Sequence, residues 1–137
     1  MSITGQCLCG AVRYQATEAP IVTRTCWCRV CQYIGAGSAT VNAIFRRQTV
    51  QISGTTRDFP CRADSGSHMH RQFCTQCGTH LFAYADERPH LLVVRVGTLD
   101  DRESAQPTST IWVSAAPSWS CIDQALPQVA GQPPPVA

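Results

Sequence analysis

The sequence predicts a mainly β domain with little helix, on three observations. Apolar and polar residues alternate over several short segments, turn residues recur between those segments, and no helical period lasts beyond a turn or two. At 137 residues and 44% hydrophobic content, the chain is sized for one domain with one core.

The elements follow in order. Ala11-Val12-Arg13-Tyr14-Gln15 alternates as a half-buried strand does, because successive side chains of an extended chain point to opposite faces. Further strands are expected over Ala39–Phe45, Thr49–Ser53, His68–Phe73, His80–Tyr84, Leu91–Val96 and Thr110–Val113. Gly54, Ser65-Gly66, Gly78, Glu87-Arg88-Pro89 and Gly97 mark the turns. Only Val30–Ile34 reads as helix. The domain is expected to span residues 3–125, followed by a Pro-rich tail over 126–137. From Pro127 onward, with Pro133-Pro134-Pro135 near the end, the tail can extend neither a ladder nor a helix. It is expected to be extended or disordered, and dispensable.

Charged residues make up 15% of the chain and the formal net charge is +2, with Arg46-Arg47 the one adjacent basic pair of note. No field of that size recruits nucleic acid or an anionic membrane, so neither partner is expected. The N-terminus lacks the basic start and apolar run of a secretory signal, and no apolar stretch approaches the ~20 residues of a membrane helix. A cytoplasmic location is the expectation. The sequence carries no signal for an oligomeric state.

Nine cysteines require an explanation. Cytosolic thiols stay reduced, and C-x-C and C-x-x-C spacings are poor disulfide geometry but good chelate geometry. Cys74-Thr75-Gln76-Cys77-Gly78 reads as a zinc knuckle, in which a tight turn aims both sulfurs at one ion and Gly permits a positive φ. A thioredoxin-like redox dithiol would instead open a helix, whereas here the strand candidate His80–Tyr84 follows. A closed tetrahedral site needs four ligands, and Cys7-Leu8-Cys9-Gly10 supplies the other two, since residues i and i+2 of an extended segment share a face. Two buried small hydrophobes would be the alternative for that pair. The sequence thus predicts one structural zinc held by Cys7, Cys9, Cys74 and Cys77.

The third group is Cys26-Trp27-Cys28-Arg29-Val30-Cys31. Cys28 and Cys31 stand at i, i+3 on a first helical turn, where free N–H groups favour thiolates. Three converging sulfurs leave one position of a zinc ion open, the pattern of catalytic rather than structural zinc. A site closed by Cys61, Cys121, His68 or His70 is the competing arrangement. Otherwise Cys61 and Cys121 read as packed thiols and the four histidines as ordinary surface or core residues.

Three stretches in this order, Gly5-Gln6-Cys7-Leu8-Cys9-Gly10-Ala11-Val12, Cys26-Trp27-Cys28-Arg29-Val30-Cys31-Gln32 and Arg71-Gln72-Phe73-Cys74-Thr75-Gln76-Cys77-Gly78-Thr79-His80-Leu81, carry a family resemblance. Together with Ile111-Trp112-Val113 and Ala116-Pro117-Ser118-Trp119, they make the chain similar over residues 3–125 to the glutathione-dependent formaldehyde-activating enzyme family, which includes centromere protein V. The resemblance implies a small β-tent of packed antiparallel sheets with two zinc ions per chain. It implies structural zinc at Cys7, Cys9, Cys74 and Cys77, and catalytic zinc at Cys26, Cys28 and Cys31, which are the candidate catalytic residues as ligands of that ion. It also implies carbon–sulfur lyase chemistry, with glutathione and formaldehyde combining into S-hydroxymethylglutathione. Trp27 departs from the pattern, since many members have histidine between the first two cysteines of the triplet.

A three-thiolate zinc is a weak Lewis acid but holds a further thiolate ready to attack an aldehyde carbon. A small thiol such as glutathione and an aldehyde are therefore the expected partners. Arg24, Arg29, Arg46 and Arg71 are candidates to receive substrate carboxylates, and Gly35-Ala36-Gly37 reads as a plain turn or a place where backbone N–H groups approach a ligand. Two other functions compete with the enzyme. One is a non-catalytic zinc module for protein contact, which needs an exposed apolar or basic patch; the other is a thiol-based redox or metal sensor.

Overall fold

A computed structural model describes residues 2–136 and shows ten strands and one α-helix. Strands β1 (Ile3–Gln6), β2 (Arg13–Ala16) and β5 (Val50–Ser53) form a small antiparallel sheet in the order β1-β2-β5. The larger sheet takes β10 (Ser109–Ile111), β3 (Val22–Cys26), β4 (Thr40–Arg46), β9 (Leu91–Arg95), β8 (His80–Ala85), β7 (His68–Cys74) and β6 (Thr56–Arg62), in that order. Every pairing is antiparallel except that of β10 with β3. The mainly β class and the single short helix, α1 (Arg29–Ile34), agree with the sequence.

The two sheets enclose one core. Tyr14 and Ala16 of β2 alternate with exposed Arg13 and Gln15, and meet Phe45, Phe82, Leu92 and Val94 from the large sheet. Tyr14 packs edge-on to Phe82 with ring centroids 5.3 Å apart, and its buried hydroxyl pairs with Thr98 Oγ1 at 2.7 Å. Gly5 allows this arrangement, because a Cβ there would collide with the Tyr14 ring and the Thr98 carbonyl oxygen.

Predicted strands shift at their ends for identifiable reasons. Ala11 and Val12 belong to the turn that bears Cys7 and Cys9, where Cys7 N–H donates to the Val12 carbonyl at 3.0 Å, so β2 begins only at Arg13. A 3-10 turn over Arg47–Thr49 delays β5, and Trp112 leaves β10 through a left-handed backbone (φ 58°). Strands β1, β3 and β6 were not predicted. Gly5, the polar run Thr23-Arg24-Thr25 and Pro60 hide their extended character, and β6 tolerates its proline as a mostly exposed edge strand.

The tail from Pro127 runs along β10 and the turn after it. Thr110 N–H donates to the Pro127 carbonyl at 3.0 Å, Val129 N–H donates back to the Thr110 carbonyl at 2.9 Å, and the Trp112 indole N–H reaches Gln132 Oε1 at 2.9 Å. Val129 packs against the cluster formed by Cys26, Cys28, Cys31 and Ile111. Removing residues 128–137 therefore strips backbone partners and apolar cover from β10, in place of the neutral truncation that composition suggests. A fall in melting temperature of about 4 °C or more is expected, the shift that ~1 kcal/mol produces in a domain of this size. An unchanged melting curve would show that the tail contributes nothing to the fold.

His70 pins the far edge of the large sheet. Its Nδ1 and Nε2 lie 2.8 Å from Asp58 and Asp86, and its ring stacks on Tyr84 with centroids 4.6 Å apart. Asp58 foremost, with Asp86, raises its pKa above the usual histidine value. A raised folded-state pKa stabilises fully below the unfolded value near 6.5, and the contribution is lost as pH rises through the folded pKa. A His70→Gln variant should melt below wild type at pH 6, with the gap narrowing by pH 9; a gap independent of pH would refute the charged pairing.

Candidate metal centres

The first cysteine group forms where two turns meet. One follows β1, where Gly10 N–H donates to the Cys7 carbonyl at 3.0 Å; the other follows β7, where Gly78 N–H donates to the Cys74 carbonyl at 3.0 Å. Both glycines have positive φ (78° and 74°), which is why glycine ends each motif. Leu8 N–H donates to Thr79 Oγ1 at 3.1 Å and fastens one turn to the other. The sulfurs of Cys7, Cys9, Cys74 and Cys77 lie within 4.8 Å of one another, a set that could hold a metal ion. Backbone N–H groups approach the inner sulfurs, Val12 to Cys7 at 3.3 Å and Gln76 to Cys74 at 3.4 Å. Burial opposes ionisation of Cys7, but the hydrogen bonds from Val12, Cys9 and Cys74 outweigh it and lower its pKa. Hydrogen bonds from Thr79 bring Cys77 down to about 5.

The second group sits at the end of β3. Cys26 closes the strand, Trp27 N–H donates to the Ile111 carbonyl at 3.1 Å, and Cys28 caps α1 by accepting from Cys31 N–H at 3.3 Å. Gln32 locks the loop, its side-chain amide donating to the Trp27 and Ala115 carbonyls at 2.8 and 3.0 Å. The three sulfurs lie within 4.8 Å of one another, all buried, and no further His, Cys, Asp or Glu joins them among the described residues. Hydrogen bonds from Cys26 and Cys28 hold the Cys31 thiol well below the usual thiol range, with the Arg95 guanidinium assisting, while the same contacts push Cys26 up.

None of the residues weighed as a fourth ligand joins the triplet, and three of them are engaged elsewhere. Cys61 accepts from Arg71 Nε at 3.3 Å, Cys121 is exposed, His68 pairs with Glu87 at 2.8 Å, and His70 lies between its two aspartates. Trp27 is buried and its indole N–H has no partner among the described residues.

The triplet forms part of the wall of a cavity of about 300 Å³ on the face of the large sheet opposite the core. Strand alternation builds that wall: Ala43, Phe45, Phe82, Leu92 and Val94 face the core, while Asn42, Ile44, Ala83, Val93 and Arg95 face the cavity. Of the arginines named from sequence, Arg24 and Arg71 line it. Arg46 instead pairs with Glu18 at the surface and Arg29 bonds Gln32 at 2.6 Å. Sequence reasoning passed over Arg95, which is buried with Nη1 on Asn42 Oδ1 at 2.5 Å and with Nε and Nη2 unpartnered. A charge at the end of the apolar run Leu91–Val94 was the available signal. Gly35-Ala36-Gly37 is a plain turn away from the cavity.

Among the described residues no helix is long and apolar enough to cross a membrane. A family model described as glutathione-dependent formaldehyde-activating enzyme matches residues 2–115. A Halomonas elongata protein, described as a candidate glutathione-dependent formaldehyde-activating enzyme, is 24% identical over 129 residues, covering 90% of this chain and 82% of its own. A solved structure of a Rhodobacter sphaeroides protein superimposes with a TM-score of 0.56 at 21% identity, over 76% of this chain and 96% of that one, a likeness of fold alone. Because the family match runs through both cysteine groups and all ten strands that position them, the chain belongs to the glutathione-dependent formaldehyde-activating enzyme family.

Proposed function

We propose that the chain is a zinc-dependent carbon–sulfur lyase that joins a small thiol, such as glutathione, to formaldehyde or a related aldehyde and cleaves the adduct in reverse. The observation that carries this reading is the buried triplet at the cavity wall, three sulfurs without a fourth protein donor among the described residues. Cys7, Cys9, Cys74 and Cys77 would hold a structural zinc, and Cys26, Cys28 and Cys31 the catalytic one. All-sulfur donor sets suit zinc, and the N–H groups aimed at Cys7, Cys74 and Cys28 favour the thiolate forms that ligation requires.

Zinc on the triplet would supply an open coordination position at which a thiol is held as its thiolate. The chain's own residues prepare that position. Arg95 lies beside Cys31 and Cys26 and offsets their negative charge, which three thiolates in a buried site require. Gln32 fixes the Cys26–Cys28 loop, so that the three sulfurs keep their spacing. Ile44, Val93 and Ile111 present apolar walls that limit water around an aldehyde carbon. Trp27 carries no titratable group, so the loop between Cys26 and Cys28 offers no proton acceptor of its own. A cytoplasmic location belongs to the same reading, since reduced thiols persist there.

Zinc-loaded protein should accelerate adduct formation between glutathione and formaldehyde above the spontaneous rate, saturating in both, when exchange is followed by NMR. No acceleration across a panel of thiols and aldehydes, with two zinc ions bound per chain, would remove the enzymatic reading.

A further inference from the structure

The strands give the cavity its floor, and the tail closes one side of it. Pro133, Pro135 and Val136 line the same space as the cysteine triplet while themselves half-buried or exposed, so they stand between that space and solvent. The family match ends at residue 115, so this wall is built by residues beyond the matched segment.

One residue ties the tail to the triplet. Trp112 follows β10 in the left-handed region, φ 58° and ψ 34°, which bulky side chains rarely adopt. Such a backbone persists only where its surroundings hold it. Here they hold it from two sides: Trp112 packs against the cluster of Cys26, Cys28, Cys31 and Ile111, and its indole N–H donates to Gln132 Oε1 at 2.9 Å. Trp112 N–H donates to the Gly131 carbonyl at 3.3 Å, and a Cβ on Gly131 would lie 4.0 Å from the indole, so the tail backbone runs against the ring.

Beyond Gln132 the ties end. Residues 133–136 make no hydrogen bond among the described residues, and three of the four are prolines with no N–H to give. Consecutive prolines keep this stretch extended and stiff, so it stands at the cavity as a unit. Pro133, Pro135 and Val136 offer the cavity neither a charge nor a side-chain donor, a surface that selects by bulk and not by charge.

We propose that residues 133–136 are a strap, latched by Trp112 through Gln132, that limits by size which molecules reach the cysteine triplet. Pro133, Pro135 and Val136 are its selecting surface, and Trp112 is a positioning residue that acts through the strap. That the molecules so selected are substrates rests on the open three-cysteine site proposed above; the strap itself does not.

The test reads access directly on the zinc-loaded full chain, with N-methylmaleimide and the far bulkier N-(1-pyrenyl)maleimide, which share one chemistry. Peptide mapping by mass spectrometry follows alkylation of Cys26, Cys28 and Cys31, with exposed Cys121 as the reference for each reagent. Relative to Cys121, the bulky reagent should modify the wild-type triplet about tenfold or more slowly than the small one, because it must await opening of the strap. In a full-length Pro133→Gly/Pro135→Gly/Val136→Gly variant, which keeps the hydrogen bonds of residues 127–132, that difference should largely vanish. Gln132→Ala should reduce it in part, and Gln132→Glu, which keeps an acceptor for the indole, should leave it as in wild type. An equal size difference in wild type and the triple variant overturns the strap, as does a wild-type triplet open equally to both reagents. If neither reagent reaches the wild-type triplet, alkylation in the triple variant supports the strap and continued protection overturns it. Gln132→Ala behaving as wild type overturns the latch. Alkylation needs no thiol on the metal, so the strap can fail while the open site stands; cobalt bands insensitive to thiol would remove the open site and leave the strap.

Discussion

Replacing Cys74 by serine is expected to leave the chain largely unfolded and without metal at either centre. Cys74 and Cys7 are each 1% exposed, and both sit inside the main core with Tyr14, Phe45 and Phe82. Their sulfurs are where the small sheet meets the β7–β8 hairpin, and Cys9 Sγ lies 3.8 Å from Cys74 Sγ across 65 residues of chain. Closing that span is entropically expensive, and a structural zinc would repay it with ~10 kcal/mol or more, comparable with the ~5–15 kcal/mol net stability of a whole domain. Serine also leaves a buried hydroxyl where Gln76 N–H now meets a sulfur. Far-UV circular dichroism and metal content per chain measure the outcome. A soluble Cys74→Ser protein with wild-type melting temperature and both metals would refute the structural role.

The cysteine partition was legible because chelate spacing is a local signal. C-x-C and C-x-x-C segments ending in glycine specify their own turns, and the structure adds only that the two turns share a location. The strands around them were legible where alternation marked one buried face, as in Arg13–Ala16. Alternation misled for the strands under the cavity. Arg95 occupies the polar phase of β9, which in a two-layer reading points to water; here that phase lines the floor of a cavity, so a solvated charge became a buried one. Arg71 in β7 has the same history, and only assembly of the six strands that line the cavity could separate it from Arg29 and Arg46. The contacts of the tail were hidden for a different reason. Prolines do forbid a regular ladder, yet Val129 and Gln132 find partners on a short edge strand and the turn beyond it, and those contacts are long-range and invisible to composition.

Replacing Cys28 by serine should have the opposite character from Cys74→Ser: a folded protein with one metal equivalent fewer and turnover reduced at least a hundredfold. Cys28 belongs to a small peripheral cluster with Cys26, Cys31 and Ile111, separate from the main core, so its loss leaves the inter-sheet packing in place. It also caps α1 through its sulfur, and serine is among the preferred residues for that position, so the cap survives the exchange. What does not survive is the three-sulfur donor set. A hydroxyl is a far weaker zinc ligand than a thiolate, and two remaining sulfurs make an incomplete site. Cobalt substitution separates the two centres. In wild type, an added thiol should shift the d–d and charge-transfer bands of one centre and leave those of the four-cysteine centre unaltered; in Cys28→Ser, the thiol-responsive bands should be missing while the others persist. A Cys28→Ser protein that binds two metals and responds to thiol as wild type does would show that the triplet is not the second metal site. Unfolding of the whole chain would show that its role is structural, like that of Cys74.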